Sequence, residues 1–173
     1  MEYLYANGVE HRDLKAANCL LDEGMRVKLA DFGLARLKKA VKTDKDKADV
    51  AVGTPSHMAP EILLSNSNKD FSEKSDIYSF GIVMYEVLSG EVVWMISGED
   101  LNRSQIITQL QAKRRPSPIP QDSPPELVTL MEKCWNDQRF FRPEFKKVVR
   151  ELQDMAPSQQ TSQVGSAGLS AAE

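Results

Sequence analysis

The residues His11-Arg12-Asp13-Leu14-Lys15-Ala16-Ala17-Asn18 decide how this chain is read. They fall in a connector. Upstream, Tyr3, Leu4 and Tyr5 read as the last turns of a helix that begins before Met1, and Asn7-Gly8 is a stop signal. Downstream, two short apolar segments between Cys19 and Leu29 flank Asp22-Glu23-Gly24, which predicts a small hairpin. In an extended connector Lys15 points to the same side as Asp13, two residues before it. Asp31-Phe32-Gly33 follows the hairpin directly, and Ala59-Pro60-Glu61 comes after a further stretch.

That stretch, residues 34–58, carries Lys38, Lys39, Lys42, Asp44, Lys45, Asp46, Lys47 and Asp49 with little periodicity, and is expected to be a long solvated loop. Beyond it, Ile77, Phe80, Gly81, Met84, Val87 and Leu88 recur at helical spacing until Ser89-Gly90. Ile82, Val83 and Tyr85 make a second apolar face, so this helix is expected to be central and buried. Ile106, Ile107 and Leu110 predict a shorter helix over residues 103–112, followed by a proline-broken loop at 113–122. Ser123-Pro124-Pro125-Glu126 predicts a helix start with Ser123 as N-cap, and Leu127, Leu130, Met131 and Cys134 continue its stripe. A last helix is expected from Pro143, burying Phe145, Val148, Val149 and Leu152. The expected fold is mainly α with a small β hairpin. One body spans 1–155, and the Ser-, Gln-, Ala- and Gly-rich segment 156–173 is expected to be a disordered tail.

The whole chain has 173 residues, 41% hydrophobic and 27% charged, a globular composition of one-domain length. Twenty-two basic against 25 acidic residues leave a net charge of −3, which argues against a nucleic-acid or membrane-surface role driven by bulk charge. The N-terminus lacks the basic and apolar regions of a signal peptide, and no apolar run is long enough to span a bilayer. Cys19 and Cys134 are far apart and outside any CxxC spacing, which predicts reduced, packed thiols. A cytoplasmic location is expected by exclusion.

The three motifs, in this order and spacing, resemble the catalytic-loop, metal-binding and activation-segment motifs of eukaryotic protein kinases. The resemblance covers Met1 to about Met155 and implies the C-terminal lobe of that fold. It makes Asp13 the group that orients the attacking hydroxyl and accepts its proton, and Lys15 the neutraliser of the transferred phosphate. Asn18 and Asp31 are implied as the Mg²⁺ ligands, hard oxygen donors that suit this ion. ATP is the implied co-substrate and a protein the implied substrate. Gly33 is expected to let the backbone turn after Asp31. Arg12 is implied to gather a phosphorylated loop residue, and Thr43, the only hydroxyl residue between Gly33 and Gly53, is the candidate phosphosite. Thr54, in Gly53-Thr54-Pro55, is implied to bond Asp13 and Lys15. Asp76 is implied to tie the catalytic-loop backbone. Glu61 and Arg142 are implied to form a buried ion pair, and His11 to anchor the loop by packing and a backbone hydrogen bond. His57 is expected at the surface or in a substrate groove.

Lys15 and Gly53-Thr54-Pro55 are similar to Ser/Thr kinases. Ala16-Ala17-Asn18, Cys134-Trp135 and Arg142-Pro143-Glu144-Phe145 are similar to the tyrosine-kinase branch. The mixture resembles the tyrosine-kinase-like group, such as mixed-lineage and Raf-like enzymes, and implies Ser/Thr specificity. A complete kinase domain also has an N-terminal lobe, with a Gly-rich phosphate cover and a strand lysine. These 173 residues contain no Gly-x-Gly, and only ten residues precede His11. The full ATP site therefore needs a lobe outside them, and activity of 1–173 alone is not expected. Three readings stand: part of an active Ser/Thr kinase, a catalytically inactive C-lobe that binds or competes, or a lobe completed by another chain. In each, apolar surface at the lobe interface needs a cover, an N-lobe or another protein.

Overall fold

The computed structural model describes residues 1–37, 51–67, 69–96 and 99–156. Thr43 and the segment 157–173 lie outside the described residues.

Its core is built around one helix. Helix α3 (Glu73–Ser89) buries ten residues from Ser75 to Tyr85, so it is apolar on most of its circumference, as its spacing predicts. The backbone N–H of Ser72 donates to Ser75 Oγ at 3.3 Å where the helix begins. Gly90 ends it in left-handed backbone, φ 68°. Val87, counted on the buried face by its spacing, is instead exposed: it lies in the last turn, past the packed part of the helix. Helix α5 (Pro125–Cys134) crosses α3 at Gly81, where a Cβ would sit 3.0 Å from Cys134 Cβ and from the backbone nitrogen of Trp135. The small residue permits this approach, and Tyr85 and Trp135 pack beside it with ring centres 6.1 Å apart. Helix α6 (Phe145–Met155) closes the core with Phe145 and Val148. Phe145 stacks on Tyr5 of α1 (Glu2–Ala6) at 5.6 Å and meets Phe80 edge-on at 5.9 Å. The short α2 (Pro60–Ser65) and α4 (Arg103–Gln111) cover the remaining side. Asn102 and Gln105 start α4 with a reciprocal capping box, at 2.8 and 3.1 Å.

The β structure, among the described residues, is three antiparallel two-stranded pairs. The expected hairpin is β2 (Cys19–Leu21) with β3 (Val27–Leu29), in register Cys19↔Leu29 and Leu21↔Val27. Asp22 Oδ1 shapes its turn by accepting from the backbone N–H groups of Gly24 and Arg26. β1 (Val9–Glu10) pairs with β4 (Arg36–Leu37), and β5 (Met95–Ile96) with β6 (Glu99–Asp100). The expected loop of 34–58 is thus structured at both ends, by β4 and by a 3₁₀ turn at Pro55–His57.

Two helix starts differ from expectation. The N-cap position of α5 falls on Pro124, not Ser123, with no side-chain cap, because consecutive prolines both fit the extended-then-helical backbone of a helix entry. Ser123 Oγ is buried and has no hydrogen-bond partner among the described residues. α6 begins at Phe145, two residues after Pro143, because the Glu73 carboxylate of α3 accepts from the N–H of Phe145 at 2.8 Å and fixes the first turn there. Val149 and Leu152 are only half-buried.

Candidate active site

The connector His11–Asn18 lies against the start of α3. Asp76 is fully buried, and its two oxygens accept from the backbone N–H groups of His11 (2.8 Å) and Arg12 (3.0 Å) and from the Tyr5 hydroxyl (2.6 Å). Burial pushes the Asp76 carboxyl above its ordinary range, against the pull of these hydrogen bonds. Burial and the neighbouring Asp76 push the Tyr5 phenol up as well, so it stays a donor. Arg12 sits in left-handed backbone, φ 70°, which is uncommon for a long side chain. Asp76 holds that turn by taking both adjacent N–H groups.

Asp13, one residue on, is the centre of a tight network. Its side chain is 8% exposed. Oδ1 accepts from the Thr54 N–H at 2.9 Å and the Thr54 hydroxyl at 2.7 Å. Lys15 Nζ lies 2.9 Å from Oδ2 and donates to Thr54 Oγ1 at 2.8 Å. Burial alone would raise the Asp13 carboxyl. The bonds from Thr54 and Lys15 and the charge of Lys15 outweigh it, and hold the carboxyl below its ordinary range. Asp13 is therefore an ionised acceptor at neutral pH, facing a cation and a hydroxyl-bearing loop.

Gly53 makes this meeting possible. Its φ is 119°, and a Cβ there would lie 2.7 Å from the Arg12 carbonyl oxygen. Only glycine passes the His11–Asn18 connector this closely. The residues after it are pinned from α3 and beyond. Ser79 Oγ donates to the His57 carbonyl at 2.8 Å, Trp94 Nε1 donates to the Ser56 carbonyl at 3.2 Å, and the His57 ring bonds Glu86 Oε2 at 3.1 Å and Ser56 Oγ at 3.0 Å. Glu86 Oε2 also accepts from the Ala16 N–H at 3.2 Å, so one carboxylate ties the connector to the Thr54 loop. His57 is buried, not at the surface, because this carboxylate offers its imidazole a partner inside the fold. The available sequence signal was Glu86 itself, a lone charge in the apolar run Gly81–Leu88.

Asn18 is buried in the 3₁₀ turn Ala16–Asn18. Its Nδ2 donates to the Asp13 carbonyl oxygen at 2.8 Å and approaches Oδ2 at 3.4 Å. A carbonyl only accepts, so the amide nitrogen faces inward and Oδ1 faces away, with no bond to it among the described residues. The N–H of Ala30 donates to the Asn18 carbonyl at 2.8 Å, which brings Asp31 beside this turn. Asp31 is exposed with φ 58°, and its Oδ1 accepts from the Gly33 N–H at 3.2 Å. The left-handed residue of this turn is Asp31 and not Gly33, whose missing Cβ instead clears Asp31 Oδ1 by 3.1 Å. The donor set is an amide oxygen and a carboxylate, hard and few, which fits Mg²⁺ with waters and phosphate oxygens completing its shell. His11 anchors the two segments: its Nε2 is 3.1 Å from the Ala30 carbonyl and its ring 5.1 Å from that of Phe32.

Glu61 and Arg142 stand apart as a brace. Arg142 is 0% exposed, and its fork meets both Glu61 oxygens, at 2.7 and 2.8 Å. It also donates to the carbonyls of Lys74 and Asn136 and lies over the Tyr78 ring. Cys134 is buried in the core, where burial pushes its thiol up to about 12, and Cys19 is likewise a free thiol.

Residues 1–152 match the family described as protein tyrosine and serine/threonine kinase. The chain is similar to the dual specificity protein kinase shkC of Dictyostelium discoideum, 42% identical over 82% of this chain and 27% of that protein. To the serine/threonine-protein kinase STY46 of Arabidopsis thaliana it is 36% identical, over 90% of this chain and 25% of that protein. To the serine/threonine-protein kinase CTR1 of the same plant it is 34% identical, over 91% and 18%. The chain spans about a quarter or less of the length of these relatives.

Proposed function

Because this chain belongs to the protein tyrosine and serine/threonine kinase family, we propose that it carries the catalytic loop of a kinase that moves the γ-phosphate of ATP to Ser or Thr hydroxyls of proteins. The observation that carries the reading is the Asp13–Lys15–Thr54 network with Asn18 beneath it. Asp13, kept ionised, orients the substrate hydroxyl and takes its proton. Lys15, already beside Asp13, offsets the charge that builds on the transferring group. Asn18 and Asp31 would hold Mg²⁺, which when bound neutralises phosphate oxygens. Thr54 fixes Asp13 at two points and leaves its loop as the floor for the substrate chain.

Lys15 and Thr54 favour Ser/Thr specificity. The relatives described as dual specificity kinases make added tyrosine transfer the alternative outcome. Exposed apolar residues near the site, Leu20, Leu21, Val27 and Leu37, leave apolar surface that a second lobe or another protein would cover. No helix among the described residues is long and apolar enough to cross a membrane, and a cytoplasmic site of action is part of the proposal. Phosphoamino-acid analysis after incubating the full-length protein with Mg·ATP and a mixed protein substrate tests it. Phosphoserine and phosphothreonine are expected. A product carrying only phosphotyrosine would overturn the specificity, and no transfer under any condition would favour the binding-only alternative. Residues 1–173 by themselves, without a Gly-rich cover or strand lysine, are expected to show no transfer.

A further inference from the structure

Arg12 spends its charge inside the protein. Its Nε and Nη2 both donate to one oxygen, Glu10 Oε2, at 3.2 and 2.7 Å. The guanidinium plane covers the Phe71 ring, 5.0 Å from its centre. The two side chains are 9% and 7% exposed. Glu10 ends β1, and across the strand pair its register partner is Arg36, so the carboxylate belongs to a strand edge that is itself paired. The position of Arg12 matters to the site one residue at a time. Its carbonyl is the atom that Gly53 passes, Gly53 leads into Thr54, and Thr54 holds Asp13.

We propose that Glu10 is the resident anion of Arg12, a positioning residue that takes the place of a loop phosphate and lets the Asp13–Thr54 arrangement stand without phosphorylation. The inference rests on the kinase reading of the same site, and it makes Thr43 phosphorylation dispensable for that arrangement. Two features support it. A single oxygen that accepts from two guanidinium donors is a charge-assisted contact of the kind a phosphate would make. A pair this buried would also have to be broken, leaving Glu10 uncompensated, before an incoming phosphate could reach the Arg12 fork.

The test uses the full-length protein, treated with phosphatase or not. Phosphatase-treated wild type is expected to keep its substrate phosphorylation rate within about twofold. Glu10→Gln is expected to lose about tenfold or more in kcat after phosphatase, with KM little changed, and Glu10→Asp to retain most of the rate. A second readout needs no activity: inorganic phosphate should raise the thermal midpoint of Glu10→Ala, whose vacated site admits an oxyanion, and leave wild type unmoved. Wild type that loses its rate on phosphatase treatment as fully as Glu10→Gln, or that phosphate stabilises as much as Glu10→Ala, would overturn the proposal. If no form of the protein transfers phosphate, the kinase reading fails, while the phosphate-dependent midpoints still decide for or against Glu10.

Discussion

Asp13 is an acid held ionised by its neighbours, and this has a consequence for stability as well as chemistry. Its folded carboxyl lies below the ordinary value, so its contribution is fully present above the unfolded value, about pH 4, and is lost as pH falls through the folded one. Asp76, raised by burial, contributes with the opposite sign, so the comparison must be with a variant at position 13. Asp13→Asn is expected to flatten the difference between neutral and acid stability, measured by urea unfolding at several pH values. An acid limb identical to wild type would contradict the ionised, bonded carboxylate. Gly53 is the second residue whose identity is forced. Gly53→Ala places a methyl 2.7 Å from a backbone oxygen in a backbone conformation hostile to side chains. It is expected to cost about 1–3 kcal/mol and to lower the rate more than it raises KM, because Thr54 is displaced from Asp13. Unchanged kinetics in a folded Gly53→Ala protein would show that the close approach is dispensable.

At the scale of elements, α3 holds the two segments that frame the candidate site. Asp76 at its first turn holds the connector, Ser79 and Glu86 hold the Thr54 loop, and Gly81 lets α5 pack close. Arg142 adds a brace between α2, α3 and the segment before α6. Arg142→Ala would strand the Glu61 carboxylate, and is expected to destabilise by about 3–5 kcal/mol in a denaturant titration. A change within error of zero would contradict the brace. Much of this scaffold was legible. The apolar spacing of 77–88 marked a buried helix, and Asp22-Glu23-Gly24 marked the hairpin turn. The misplaced helix starts were not, because Ser123-Pro124-Pro125 offers two proline entries and α6 is capped by a carboxylate 72 positions away in sequence. Local pattern carries no trace of such a tertiary cap.

For the molecule as a whole, most of the site residues expected from the sequence come together. Asp13, Lys15, Asn18 and Thr54 converge, with His11, Arg12, Asp76, Asp31 and Gly33 alongside, while Glu61 and Arg142 brace the fold at a distance and Thr43 lies outside the described residues. The convergence was legible because the motifs hold their spacing to the turns between them. The contacts of His57, Glu86 and Glu10 were not, because each is made in the packed interior and none sits in a recognisable pattern. The proposed function is a general base, Asp13, beside Lys15, acting on a protein hydroxyl. The most direct measurement is the rate of Mg·ATP-dependent phosphate transfer to a protein substrate by full-length wild type and by Asp13→Asn, with folding of both checked by circular dichroism. The account predicts transfer by wild type and a loss of roughly 10²–10⁴-fold in the variant. Equal rates in the two proteins would contradict it.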